Sequence, residues 1–393
     1  MSTTSQPSPI AAPSEGVARP GRLLSLDVLR GLTIAFMILV NDNGNEAAAY
    51  WPLKHAAWNG FTPTDLVFPT FLFLVGISTV FSNESRLAQG VTRQSLFVHV
   101  VRRSIILYLL GLIVNSFPYF HLHTMRFYGV LPRIAICYFV VASLYLISPG
   151  WHSKAMLAVA ALVGYWILMR FVPVPGYGIP GRDVPLLDHD ANLAAWLDRQ
   201  IFSASHLYER TRDPEGLLST IPALATSIIG LLTGIWLRTQ RTVVSKMSVI
   251  AIAGLSGVLL GGFWNLSLPI NKKLWTSSYV LFAGGLSLLL LALCILTVDR
   301  PKKNFGRTPR RTTPFFVFGT NAIAAYVFSE LLASTLSSIH PRPSLNLQQI
   351  LYRSIEGIVP NQALASLLYS IAFVVVCWLF ISVLNRRNIF LKI

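Results

Sequence analysis

Ten long apolar runs constrain this chain more than any other feature of its sequence. Each is about 17–24 residues long and nearly free of charge, which is the length that a helix needs to cross roughly 30 Å of hydrocarbon. We therefore predict an all-α integral membrane protein, a polytopic bundle of about ten transmembrane helices. The approximate runs are residues 23–40, 64–82, 104–120, 130–148, 155–173, 217–237, 247–264, 277–298, 314–337 and 364–384.

The composition agrees with this fold class. Of the 393 residues, 53% are hydrophobic and 12% are charged, whereas soluble domains carry about 25% charged residues. Residues 1–21 are rich in Ser, Pro and Ala and lack a positive segment leading into a short apolar core. They predict a disordered cytoplasmic tail rather than a signal peptide. Residues 22–393 then form one transmembrane domain.

The charged residues divide unevenly between the two sides of such a bundle. With the N-terminus inside, the inner segments hold 19 basic and 3 acidic residues, whereas the outer segments hold 10 of each. Basic connections stay on the cytoplasmic side, so we predict that both termini are cytoplasmic. Topology then explains the whole net charge of +16, and nucleic-acid binding is not needed to explain it.

The connection between the first two runs holds the strongest candidate site. It places His55 in a polar segment at the outer membrane face, with Asn41 and Asn59 as hydrogen-bonding groups nearby. A neutral imidazole can accept a proton or attack a carbonyl near neutral pH. Trp58 can anchor the connection at the interface or stack on a sugar ring. The alternative for His55 is an interfacial histidine held by backbone carbonyls.

Asp65 has two compatible interpretations. The sequence Thr62-Pro63-Thr64-Asp65 has a cap residue, a proline at the first helical position and an acid at the third. Asp65 therefore caps the second helix, takes a direct part in the site, or does both, because a helix N-terminus also favours anionic groups.

Charges also lie at the start of the first run. Asp27 and Arg30 are three residues apart and share a helical face. They either neutralise each other as an interfacial ion pair or face a cavity that opens to the cytoplasm. The next inner segment, residues 83–103, contains four arginines, and we predict a solvated loop that faces the membrane surface.

Further polar residues mark the ends of other runs. Arg133 lies at the mouth of the fourth, where a guanidinium can hold a carboxylate or phosphate. Asn271 and Lys272 lie in a polar outer connection, where they anchor the interface or bind a substrate. Asn321 belongs to an unusually polar stretch of the ninth run. Residues 174–216 form one long outer loop, whose Pro, Gly, Tyr and Trp content favours an ordered lid.

The sequence favours neither a disulfide framework nor a metal site. The three cysteines all lie inside apolar runs, where they pack as small hydrophobes. The His-x-His pair at residues 121 and 123 has no carboxylate or cysteine close in sequence.

Seven segments, taken in order, resemble one known family. They are RLLSLDVLRG, MILVNDNG, HAAWNGFTPTDLVFPTFLFLVG, RFYGVLPRIAICYF, DPEGLLSTI, INKKLWTSSYV and the terminal IFLKI. Together they resemble the heparan-α-glucosaminide N-acetyltransferase family of multi-span membrane acyltransferases. The resemblance implies that residues 22–393 are a transmembrane acyltransferase domain. Its co-substrate would be cytosolic acetyl-CoA, and its acceptor an amino sugar or related glycan on the outer side.

The same resemblance implies residue roles. The family's essential histidine falls on His55, as general base or acetyl carrier, and its asparagine after the first span falls on Asn41. No metal is implied. The residues that we expect to bind donor or acceptor are Asp27, Arg30, Trp58, Asn59, Asp65, Arg133, Asn271, Lys272 and Asn321.

A secondary transporter of a small anionic or sugar solute is the alternative function. Ten spans, glycine-interrupted helices and charges within spans also suit a carrier. A carrier would more often place its site near the midplane, whereas the polar residues here surround one histidine in the outer connections. In either case we expect contact with membrane lipid, a homodimer, and residence in a prokaryotic cytoplasmic (inner) membrane.

Overall fold

The computed structural model describes residues 23–148, 150–299 and 313–391, and the regular structure in those ranges is helical. This confirms the predicted fold class. The helices are α1 (Leu24–Asn41), α2 (Val67–Ala88), α3 (Arg93–Ser116), α4 (Val130–Ile147), α5 (Trp151–Phe171), α6 (Leu193–Ile201), α7 (Thr220–Leu237), α8 (Val243–Trp264), α9 (Ser277–Val298), α10 (Thr313–Thr320), α11 (Ala322–Ser338), α12 (Leu347–Glu356) and α13 (Gln362–Arg386). The tail predicted over residues 1–21 lies outside the described residues.

Nine helices of the described chain are long and apolar enough to cross a membrane. α10 and α11 form a further pair, bent by 87° at their break, so the prediction of about ten spans is confirmed. The enclosed helices α2 and α7 lie at the centre, whereas α3, α5 and α8 turn many apolar side chains outward. Outward apolar faces are expected of helices that contact lipid.

The prediction of a loop over residues 83–103 is wrong. α2 continues to Ala88, and α3 begins at Arg93 after a short turn. Thr92 caps α3 by accepting a hydrogen bond at 3.2 Å from the N–H of its third residue. Leu96 and Val100 are buried one turn apart, which gives this basic segment an inward face. The arginines at the start of α3 interrupt the apolar run, so a search for uncharged runs assigned this part of the helix to a loop.

The connections lie at two opposite ends of the bundle. The histidine face carries the connections 42–62, 117–129, 172–219 and 265–276, and the arginine face carries the turns 89–92 and 238–242. At the histidine face, Arg126 contacts Asp213 at 2.5 Å. At the arginine face, Arg238 contacts Glu84 at 2.5 Å.

Both ends of the described chain lie at the arginine face. The backbone N–H of Ser25 donates to the Asp299 carboxylate at the end of α9, at 3.3 Å. Near the other end, Asn321 donates to the carbonyl of Ile389 at 3.1 Å. Asn321 itself lies at the break between α10 and α11, so the break is at this face as well.

α1 and α10 run antiparallel and touch through two glycines. A Cβ on Gly31 would lie 1.6 Å from the carbonyl oxygen of Phe315, and one on Gly319 would lie 1.9 Å from that of Asp27. Only residues without a side chain allow backbones this close. The contact brings the helix break beside the charged pair at the start of α1.

Candidate functional site

Two threonine hydroxyls hold the connection 42–62 against the start of α2. Thr62 donates to the carbonyl of Lys54 at 2.6 Å, and Thr64 donates to that of Pro52 at 3.0 Å. These bonds fix the backbone on the N-terminal side of His55. The imidazole is therefore held beside Asp65, which lies in the short 3-10 turn Pro63–Leu66 that immediately precedes α2.

His55 and Asp65 form a hydrogen-bonded pair. Nδ1 of His55 lies 2.7 Å from Oδ1 of Asp65, and the two side chains are 33% and 1% exposed. The other carboxylate oxygen accepts hydrogen bonds from the N–H groups of Ala56 at 3.1 Å and Thr62 at 3.0 Å. A carboxylate at Nδ1 favours the proton on that nitrogen and leaves Nε2 as the base. Asp65 thus caps the helix and also orients the histidine.

Lys272, from the connection 265–276, adds a positively charged group to this pair. Its Nζ lies 3.1 Å from Nε2 and 3.2 Å from Nδ1 of His55. The two residues are 217 positions apart, so the contact depends on the tertiary fold alone.

Asn271 and Asn59 join the two connections that carry these residues. Asn271 is fully buried; its amide donates to Oδ1 of Asn59 at 3.1 Å and its oxygen accepts from the N–H of Leu274 at 2.9 Å. The structure therefore gives Asn271 a part in shaping the turn that presents Lys272.

Arg126 forms ion pairs with two acidic residues of the segment 172–219. It contacts Asp213 at 2.5 Å and also pairs with Glu215. All three side chains belong to connections of the histidine face. Arg126 offsets part of the negative charge of the two carboxylates, which lowers the cost of burying them.

Arg133 is buried beneath this cluster, with 1% of its surface exposed. It donates to the carbonyl of Gly216 at 3.1 Å and to the hydroxyl of Ser219, and its guanidinium lies 5.2 Å from the Trp275 ring. Nε and Nη1 are buried without a hydrogen-bond partner among the described residues. Arg133 thus supports the histidine face and does not line the cavity described below.

The surroundings favour a neutral His55. Burial lowers its pKa, the hydrogen bond to Asp65 opposes this, and the charge of Lys272 lowers the pKa further. Burial likewise lowers the pKa of Lys272, although Asp65 and Glu215 favour its charged form. Burial alone would raise the pKa of Glu215, but the charge of Arg126 reverses this and holds the pKa below its usual value.

Trp58 fastens the segment 174–216 to the connection that carries His55. Its indole N–H donates to the carbonyl of Leu187 at 2.8 Å, and its ring stacks on His189 with centroids 3.9 Å apart. The guanidinium of Arg212 lies 5.1 Å from the same ring. The structure thus uses Trp58 as an anchor for an ordered outer segment.

A cavity of about 340 Å³ enters the bundle from the arginine face. Arg30, Arg86 and Arg103 lie on its walls, and Phe71 and Leu131 line it further toward the histidine face. Phe71 lies six residues after Asp65, which along a helix corresponds to about 9 Å. The cavity therefore approaches the His55–Asp65 pair from the opposite side.

Two interpretations were predicted for Asp27 and Arg30, an ion pair or the wall of a cavity, and the structure supports both. Arg30 lies 3.2 Å from Asp27 and donates to the hydroxyl of Ser78 at 2.7 Å and to the carbonyl of Gly319 at 3.3 Å. Both charged residues also line the cavity. They form an ion pair and, at the same time, part of a cavity wall.

Among the described residues, the predicted residues Asn41 and Asn321 make no hydrogen bond to the histidine. Asn41 is exposed at the end of α1, and none of the hydrogen bonds within the described chain involves its side chain. Asn321 lines the cavity and holds the C-terminal segment, donating to Ile389 and accepting from the N–H of Leu391 at 3.0 Å. The described residues contain no group of three or more His, Cys, Asp and Glu that could hold a metal ion.

Sequence reasoning missed Arg86 and Arg103 as cavity residues. Arg103 lies three residues after Val100 and four before Leu107, both of which are buried. That spacing places all three on one helical face. A search for helical periodicity, instead of uncharged runs, would have predicted that Arg103 lies on the buried face of its helix.

Comparisons with known proteins point to one family. A family model described as "Heparan-alpha-glucosaminide N-acetyltransferase, catalytic" matches residues 22–261. Two proteins named heparan-alpha-glucosaminide N-acetyltransferase are similar: the human one is 31% identical over 369 residues, and the mouse one 30% identical over 390 residues. These alignments cover 80% and 84% of this chain, but 53% and 57% of the relatives. The chain thus spans little more than half the length of these curated relatives.

Proposed function

The chain belongs to the heparan-alpha-glucosaminide N-acetyltransferase family, and from that premise we propose that it is a membrane acetyltransferase. It moves an acetyl group from acetyl-CoA to the amine of an amino sugar or related glycan. The observation that carries this proposal is the His55–Asp65 pair, because a neutral imidazole oriented by a buried carboxylate is suited to take a proton from an attacking amine.

The arginine-face cavity supports binding of the donor. Guanidinium groups bind phosphates through several N–H groups at once, and Arg30, Arg86 and Arg103 bring three of them to the cavity walls. CoA phosphates held there would direct the pantetheine arm along the cavity. The thioester would then point toward the start of α2, where His55 lies.

His55 and Asp65 are sufficient for a direct transfer of the acetyl group from the thioester to the amine. The amine nitrogen attacks the thioester carbon, and its proton passes to Nε2 of His55. When the C–S bond breaks, that proton leaves with the thiolate as CoA-SH. Asp65 holds the proton on Nδ1 throughout and stabilises the imidazolium. Attack by Nε2 itself, giving an acetyl-histidine, is the other route open to the same atoms.

The acceptor belongs to the histidine face in this proposal. Trp51 is 66% exposed and lies four residues before His55, where its ring can stack on a sugar. Asn41, exposed on the same face, offers an amide. The excess of basic residues supports a cytoplasmic position for the arginine face. In this proposal the acetyl group therefore crosses from inside to outside in a prokaryotic cytoplasmic membrane.

The break between α10 and α11 favours the alternative function. Residues at this break line the cavity, and broken helices often form the binding sites of secondary transporters. Uptake of a sugar or small anion by reconstituted vesicles, without any acetyl transfer, would support that alternative.

Two variants test the acetyltransferase, each directed at one half of the site. The purified protein would receive labelled acetyl-CoA and a panel of amino sugars. His55→Ala should lower turnover by about 10²-fold or more and leave donor affinity unchanged. Arg30→Ala should weaken donor binding by about 10–100-fold, the scale for a lost charge-assisted hydrogen bond.

The matched control is Arg241→Ala, since Arg241 is an exposed arginine at the same face. Arg241→Ala should bind acetyl-CoA as tightly as the parent does.

An incubation without acceptor distinguishes the two routes. If the transfer is direct, the parent should then release no CoA and retain no label. Acid-labile label on the protein would instead support the acetyl-histidine route. Turnover by His55→Ala equal to that of the parent would refute both routes.

A further inference from the structure

Lys272 makes a contact that ordinary packing does not explain. Nζ of Lys272 lies 3.1 Å from Nε2 and 3.2 Å from Nδ1 of His55, so it is not aligned with the in-plane lone pair of Nε2 and acts on the ring chiefly through its charge. An ammonium group has three N–H donors. Among the described residues, the ring nitrogens of His55 are the polar atoms within hydrogen-bond distance of Nζ.

The acidic neighbours of Lys272 lie beyond contact distance. Asp65 and Glu215 act on it electrostatically, but the part of the chain that the structure describes contains no salt bridge from its Nζ. Lys273 and Arg133 add positive charge to its surroundings. A partly buried ammonium without a carboxylate in contact costs stability, which points to a role other than holding the fold together.

The position of Nζ suits one particular charge. In the proposed transfer the amine must lie within hydrogen-bond reach of Nε2, and the thioester carbonyl carbon must lie about 3–3.5 Å from the amine nitrogen. A cation at 3.1 Å from Nε2 is then within reach of the carbonyl oxygen. Negative charge develops on that oxygen when the amine attacks, and donors fixed near it lower the barrier.

We propose that Lys272 is a further catalytic residue, which stabilises the oxyanion of the tetrahedral intermediate and keeps Nε2 of His55 unprotonated between turnovers. This inference rests on the proposed acetyl transfer. In the resting site the ammonium lies beside both ring nitrogens, where its positive charge disfavours the imidazolium. When substrates enter, the same ammonium turns to the carbonyl oxygen, and the lone pair of Nε2 receives the amine proton.

The proton and electron balance follows directly. As the C–N bond forms, the C=O electron pair moves to oxygen, where Lys272 holds the negative charge, and the amine proton moves to Nε2. As the C–S bond breaks, the pair returns to re-form C=O. The thiolate takes the proton from Nε2, and Lys272 is charged at both the start and the end.

Lys272→Met tests this role, with Lys273→Met as its matched control. Lys273 is the neighbouring lysine, and it pairs with Glu209 at 2.8 Å. Lys272→Met should lower kcat by about 10²–10³-fold with little change in the KM for acetyl-CoA. The groups that set the charge of His55 are Asp65, Lys272 and Glu46. Loss of the lysine should therefore move the acid limb of the rate profile to higher pH, whereas Lys273→Met should leave that limb in place.

A second measurement does not depend on acetyl transfer. In NMR titrations of histidine-labelled protein, the resonance missing from His55→Ala identifies His55. Its midpoint should rise in Lys272→Met, because the positive charge that disfavours the imidazolium is removed. An unchanged midpoint together with parental kcat would overturn the inference. A raised midpoint in a protein whose parent transfers no acetyl group would keep the lysine–histidine coupling, but it would refute the proposed function and with it the oxyanion role of Lys272.

Discussion

Replacing Asp65 by asparagine tests the orientation of His55 at the level of single atoms. The carboxylate uses one oxygen for Nδ1 of His55, at 2.7 Å, and the other for the N–H groups of Ala56 and Thr62, at 3.1 and 3.0 Å. Asparagine has only one oxygen. If it keeps the two backbone bonds, its NH₂ group faces Nδ1 and forces that nitrogen to accept.

The two consequences of this change differ greatly in size. Two bonds to a charged acceptor become bonds to a neutral one, so the free energy of unfolding should fall by about 2 kcal/mol. The forced tautomer places the proton on Nε2, the atom that must act as the base. Turnover should then fall by about 10⁴-fold, the effect of the corresponding Asp→Asn change in a Ser-His-Asp triad.

Initial rates of CoA release with acetyl-CoA and an amino sugar would measure the change in turnover. Thermal unfolding of both proteins in one detergent would measure the change in stability. Asp190→Asn is the control, because Asp190 is half exposed and pairs with Arg212 at 2.8 Å; its rate should stay close to that of the parent. If folded Asp65→Asn turned over within a few-fold of the parent, Asp65 would be a helix cap only.

Two further predictions concern topology and pH. A reporter fused after residue 203 should behave as external and one after residue 240 as cytoplasmic; the reverse pattern would exchange the two faces and refute the proposed direction of transfer. Burial raises the pKa of Asp198 to about 6, so the folded state keeps a proton that the unfolded state releases above about pH 4. Stability should therefore fall as the pH rises from about 4 to about 6, and Asp198→Asn should remove that part of the pH dependence in thermal unfolding.

The features that could be predicted from the sequence are those encoded by neighbouring residues. Apolar runs are local, so the spans emerged from hydropathy alone. The His55–Asp65 pair was accessible for the same reason, since the capping sequence fixes Asp65 at the first turn of a helix and the histidine lies ten residues earlier.

Features that depend on distant segments were not predictable in this way. Lys272 reaches His55 across 217 positions, and no local pattern marks that approach. The break before α11 lies inside an apolar run whose hydropathy is the same whether the helix is straight or bent. Asn321 hinted at polarity there, but its partners near Ile389 belong to the far end of the chain.

The crossing of α1 and α10 should leave a particular trace in the evolution of related chains. Gly31 and Gly319 each meet a carbonyl oxygen of the other helix, not a side chain. A backbone atom cannot be exchanged for a smaller one, so no second substitution can compensate for a change at either position. In an alignment of relatives that keep this crossing, both columns should be invariant and should show no covariation with each other, and contact prediction from paired substitutions would overlook one of the closest approaches in the bundle.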